Sequence, residues 1–156
     1  MTHILRIITF MITYVIGAQQ TPIEALFEKK INLEQKKFIS IESLSSYHYI
    51  KNNALYKKKN NTITTYSNIQ LGNIYSANSF NPLKINLFYK DLNTVIILDN
   101  RLAEITKIDF NTLKPYKNTS KITTGPDNTI WLFNQDLQQL ELYDYKNNTT
   151  RAITRP

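Results

Sequence analysis

The segment LFYKDLNTVIILDN, Leu87 to Asn100, recurs 45 residues later as LFNQDLQQLELYDY, Leu132 to Tyr145, with Leu, Phe, Asp, Leu and Asp in matching slots. A chain that repeats such a unit must stack like elements on like elements. In each copy two short β-rich runs flank a polar turn, which is the pattern of a hairpin. In the second copy, strict alternation sets Leu140 and Leu142 on the opposite phase from Glu141 and Tyr143. A fainter third copy, YHYIKNNALYKKKNNT, runs from Tyr47 to Thr62. A period of about 40 to 45 residues with several short strands per unit points to propeller blades and away from helical solenoids.

Filling in each unit predicts four strands. The first holds KFISI, YHYI, ALYKK and TITTYS; the second GNIYS, KINLFY, TVIIL and EITKIDF; the third KITT, TIWLFN, QLELYDY and TTRAIT. The expected fold is therefore all-β, a partial β-propeller of three four-stranded antiparallel blades over residues 37–67, 73–111 and 120–154. Phe27 to Glu34 could add a strand, or PIEALFEKK a short helix starting at Pro22. A closed propeller takes at least four blades, and an open array leaves two terminal faces without neighbours. The expectation is a shortened relative, a fragment, or an array that closes by pairing with another chain.

At the other end, MTHILRIITFMITYVIGAQQ places one Arg before an apolar run, Ile7 to Ile16, followed by the small residues Gly17 and Ala18. That order is a secretory signal's, and the run is about half the roughly 20 residues of a spanning helix. We expect residues 1–18 to be a signal peptide and 19–156 the repeat domain, exported to the periplasm, the outer membrane or the outside of the cell. The chain has no Cys, which removes disulfides, thiolate nucleophiles and thiolate metal sites together. Formal charge is +7. Its clusters are Lys29 with Lys30, Lys36 with Lys37, and Lys57 to Lys59.

Little in the sequence carries chemistry. His48, flanked by Tyr47 and Tyr49, reads as a packed or surface residue rather than a general base. Asp91 and Asp136 occupy equivalent turns, and Asp99 and Asp144 equivalent strand ends, which favours structural work. No HExxH motif, calcium loop, GxSxG elbow or phosphate-binding Gly loop is present, so no catalytic residue, metal ligand or cofactor is assigned. Asp127 and Asn128 read as turn formers. Trp131, in TIWLF, reads as core, on a strand covered on both faces. Lys57, Lys58 and Lys59 are the candidate interaction surface, read first as a solvated edge that discourages aggregation and second as a contact for an anionic surface.

GPDNTIWLFNQD, Gly125 to Asp136, resembles a propeller signature in which an Asp-Asn turn precedes a small residue, Ile and Trp. More widely, SNIQLGNIYSANSFNPLKINLFYKDLNTVIILDNRLAEITKIDFN is similar to a group of secreted, propeller-like proteins of Bacteroidetes, from about Phe27 onward. The resemblance implies fold and export and brings over no catalytic residue. The function expected is a non-enzymatic interaction or scaffold module. A protein partner or self-association is expected, carbohydrate or an anionic surface is the further option, and nucleic acid is not expected. The alternatives are a hydrolase or lactonase of propeller type, or a truncated product without independent function.

Overall fold

A computed structural model describes residues 24–26, 30, 32, 37–42 and 46–155. The expected signal peptide lies outside them, as does most of the segment from Phe27 to Glu34. The described part folds as twelve strands in three four-stranded antiparallel sheets. The first holds β1 (Lys37–Ile41), β2 (Ser46–Lys51), β3 (Ala54–Lys59) and β4 (Thr62–Tyr66). The middle sheet holds β5 (Ser76–Asn78), β6 (Ile85–Tyr89), β7 (Thr94–Leu98) and β8 (Glu104–Asp109). The last holds β9 (Thr119–Thr124), β10 (Thr129–Asn134), β11 (Gln139–Asp144) and β12 (Thr149–Ile153). Each sheet runs in sequence order, so every connection within it joins neighbours.

The turns explain much of the Asn content. Among the described residues eight non-glycine positions have positive φ, and five of them are Asn: Asn52, Asn53, Asn60, Asn93 and Asn148. Asn tolerates the left-handed region better than other side chains do. With only three Gly in the chain, it takes the role glycine would usually fill at tight hairpins.

One expected strand starts later than its sequence suggests. GNIYS was to open the second unit, but Ile69–Leu71 makes a single 3-10 turn, Gly72 sits at φ 71°, and the strand begins at Ser76. The cause is Asn53. Its side chain donates to the Gly72 carbonyl and accepts from the Ile74 N–H at 2.6 Å, taking backbone groups that pairing would need.

The core is two apolar seams, one on each side of the middle sheet. Ile85, Leu87 and Tyr89 of β6, with Ile96 and Leu98 of β7, pack against Ile50 and Leu55 of the first sheet. Phe88, Val95 and Ile97, on the opposite face, pack against Ile130, Leu132 and Tyr143 of the last. Every residue of β6 and β7 is buried. Burying a large apolar side chain stabilises by about 1.5 to 3 kcal/mol, and this sheet supplies more of the buried apolar side chains than either neighbour. The doubly covered strands are therefore β6 and β7. In β10 only the Ile130 and Leu132 face is covered, while Trp131 and Phe133 are half-buried on the other. That corrects the expectation for TIWLF.

Polar clasps reinforce the seams. Lys84, 6% exposed, reaches from the middle sheet and donates to the carbonyls of Gly125 and Asp127 at 2.6 Å each and of Thr129 at 3.1 Å. Three carbonyls satisfy the three protons of its ammonium. Gly125 is required there for space, because a Cβ would sit 2.5 Å from Thr129 Oγ1 and 2.9 Å from Leu142 Cδ1.

Candidate functional site

The first sheet turns Ser46, His48 and Ile50 of β2, and Leu55, Lys57 and Lys59 of β3, to the same side, because alternate residues share a face. Ile50 and Leu55 enter the seam with the middle sheet. Toward the other end of these strands the apolar residues give way to Ser46, His48, Lys57 and Lys59; the two lysines line a cleft of about 500 Å³, while Ser46 and His48 are fully buried. Ser40 and Glu42 line it from β1 and the residue after it, and Ser79 and Asn100 from the middle sheet's connections.

At the wall is a line of polar contacts. The Ser79 and Ser40 hydroxyls are 2.5 Å apart, Ser40 Oγ is 3.3 Å from His48 Nδ1, and His48 Nε2 is 3.5 Å from Glu42 Oε1. His48 has no exposed surface. The Nε2 contact is too long for a good hydrogen bond, so it is an electrostatic contact, and Nε2 has no hydrogen-bond partner. Glu42 also accepts from Ser46 Oγ at 2.5 Å and from Lys57 Nζ at 3.1 Å, and Lys57 donates to the Asn100 carbonyl at 2.9 Å.

Electrostatics follow from this crowding. Burial pushes the His48 imidazole below its ordinary value and the neighbouring Lys57 ammonium adds to that, outweighing the attraction of Glu42. Burial would raise the Glu42 carboxyl, but hydrogen bonds from Ser46 and Lys57 prevail and hold it below the usual range. A neutral imidazole therefore faces an ionised carboxylate.

The three sequence-predicted lysines divide between the two faces of the sheet, Lys57 and Lys59 lining the cleft and Lys58 on the other. Lys57, with its side chain 12% exposed, is bound to Glu42. Lys59 lines the cleft, and also an adjoining hollow with Arg101. Lys58 points to the opposite face, paired across the strands with Tyr47 and Ile63. A run of three on a strand cannot form one patch, because the side-chain period is two.

Two further regions gather polar or aromatic groups. Under the last sheet, Glu141, 1% exposed, is bound by Lys117, by Asn134 at 2.8 Å and by Thr150 at 3.4 Å, which occupies its oxygens fully. Near the first strands of the sheets, Tyr75 accepts a hydrogen bond from Lys121 at 2.6 Å, which lowers its hydroxyl pKa, and the ammonium groups of Lys121 and Lys90 stand 4.7 and 5.1 Å from its ring centroid. No group of three His, Asp or Glu side chains placed to hold a metal ion occurs among the described residues.

The outer face of the last sheet carries four apolar side chains across β10 and β11. Trp131 pairs with Leu142 and Phe133 with Leu140 across β10 and β11, and none of the four belongs to the seam on the other side. Leu140 is 45% exposed.

Sequence reasoning missed Ser40, Ser79 and Glu42. Ser40 and His48 are cross-strand partners of the β1–β2 pair, a signal the hairpin assignment contained. Ser79 comes from 39 residues away, and no local pattern shows that approach. No family model and no curated protein matches the chain. Among the described residues no helix is long and apolar enough to cross a membrane.

Proposed function

We propose that the chain is a propeller-like β-repeat interaction module, exported from the cell, that engages a protein surface through the outer face of its last sheet. The observation that carries this reading is the Trp131, Phe133, Leu140 and Leu142 face, which has no sheet over it among the described residues. The two preceding sheet-to-sheet seams bury their apolar side chains against the next sheet, and a third such face is built to receive another. The resemblance of GPDNTIWLFNQD to a propeller signature and the apolar run before Gly17 support the propeller-like and exported parts of the reading. The occupant with the matching chemistry is a β-sheet surface, in the first instance that of a second copy of this chain, since one self-complementary patch suffices for a two-fold pair.

Sedimentation equilibrium tests it. The wild-type chain is expected to associate, and Phe133→Lys with Leu140→Lys to yield a monomer of unchanged circular dichroism. A wild-type chain that stays monomeric at high micromolar concentration would remove self-association as the function of this face.

A further inference from the structure

The cleft between the first and middle sheets has a use that scaffolding does not require. We propose that Ser40, His48 and Glu42 form a nucleophile, base and orienting acid for acyl transfer from small esters. The reading is independent of the docking face on the last sheet. It rests on the geometry of the polar wall, on a buried imidazole nitrogen without a hydrogen-bond partner, and on the cleft that Ser40 and Glu42 line, with His48 fully buried next to them.

The tautomer is set by the surroundings. Glu42 Oε1 lies 3.5 Å from Nε2, so the ring proton belongs there, on the side facing a carboxylate. Nδ1 is then left as an acceptor for the Ser40 hydroxyl, 3.3 Å away. These are the three roles of a hydrolytic triad, recognised by geometry rather than sequence order, and such contacts are commonly long before substrate binds. His48 stays neutral near physiological pH, because its burial and the Lys57 charge oppose protonation. Ser79, 2.5 Å from Ser40 Oγ, holds the nucleophile's rotamer.

The cleft also suits an ester. Ile41, Phe80 and Leu83, all strongly exposed, line it together with the serines and lysines. Lys57 has three ammonium protons and donates to Glu42 and Asn100, which leaves one for a developing oxyanion. In the first step the Ser40 Oγ–carbon bond forms as the proton passes to His48 Nδ1. The carbon–oxygen bond to the leaving alcohol then breaks, and the alkoxide takes that proton. Water repeats both steps, releasing the carboxylic acid and restoring Ser40.

A fluorophosphonate probe on the purified full chain, with peptide mapping by mass spectrometry, tests the assignment. The adduct is expected on Ser40. It should vanish in Ser40→Ala, and labelling should slow by about a hundredfold or more in His48→Gln, the range of a lost general base. Because His48 is buried, Glu42→Gln serves as the second variant, expected to slow labelling while circular dichroism is unchanged. Release of p-nitrophenol from p-nitrophenyl acetate should follow the same order. Folded wild-type protein without an adduct on Ser40 would overturn the proposal, as would labelling equally fast in all folded variants.

Discussion

Asp99 and Asp144 perform the same task in adjacent sheets, each at the end of a third strand. Asp99 Oδ1 accepts from the backbone N–H groups of Arg101 and Ala103 at 2.8 and 2.9 Å, and Asp144 Oδ1 from those of Lys146 and Asn147 at 3.1 Å each. Backbone donors, led by Ala103 in one case and Asn147 in the other, hold both carboxyls below the ordinary range. We expect Asp144→Ala to lower the thermal midpoint more than Asp144→Asn, which keeps an acceptor oxygen. The same order should hold at Asp99, measured by differential scanning calorimetry.

Gly125→Ala should destabilise through contact rather than through backbone geometry. A Cβ would meet Thr129 Oγ1 and Leu142 Cδ1 inside van der Waals range, and overpacking of this kind costs roughly 1 to 3 kcal/mol. Urea denaturation should show the midpoint fall. Adding Leu142→Ala, which removes one of the two obstructing groups, should make the pair less than additive.

Trp131→Ala should be milder than a core truncation. A fully buried Trp costs roughly 3 to 5 kcal/mol to truncate, but Trp131 is half-buried and outside the seam. Phe110→Ala, whose ring is fully buried and edge-on to Tyr143 at 6.0 Å, should exceed it in urea denaturation. Equal losses would mean that the outer face is covered in solution.

Acid should weaken the fold in two stages. The folded His48 pKa lies below 6.5, so the unfolded chain takes up a proton that the native one resists, and stability present above pH 6.5 is lost as pH falls toward the folded value. Glu42 is depressed from 4.5, so its share is lost later, as pH falls below that. Lys57 and Glu42 are the charged groups facing His48. Urea midpoints at pH 8, 6 and 5 should fall for the wild type, and His48→Gln should flatten the first stage alone.

The strands were legible in the sequence because period and punctuation are local. The hairpins of β6–β7 and β10–β11 follow from LFYKDLNTVIILDN and its echo, and Asn52-Asn53 marked the turn of β2–β3. What alternation could not give was the sign of a face. In β11 the two phases are as read, but Glu141 and Tyr143 point inward and Leu140 and Leu142 outward, against hydrophobic preference. The inversion holds because Lys117 neutralises Glu141 from 24 residues away and Phe110 receives the Tyr143 ring. Likewise the cleft needed Ser79 and Asn100 brought onto β1 and β3 from a different sheet, an arrangement fixed only by packing. The strand expected at GNIYS begins late, at Ser76, for a similar reason, since Asn53 acts on backbone 19 residues away.

Burial of both faces of β6 and β7 has a consequence for the order in which the molecule comes apart. Opening the first or last sheet breaks one seam, whereas exposing β6 and β7 breaks both. In native-state hydrogen exchange the amides of Ile85–Tyr89 and Thr94–Leu98 should be the slowest, exchanging only on global unfolding, while β4 and β12 exchange through local opening. The middle sheet is thus the last structure to be lost, after either neighbour has been free to open on its own seam.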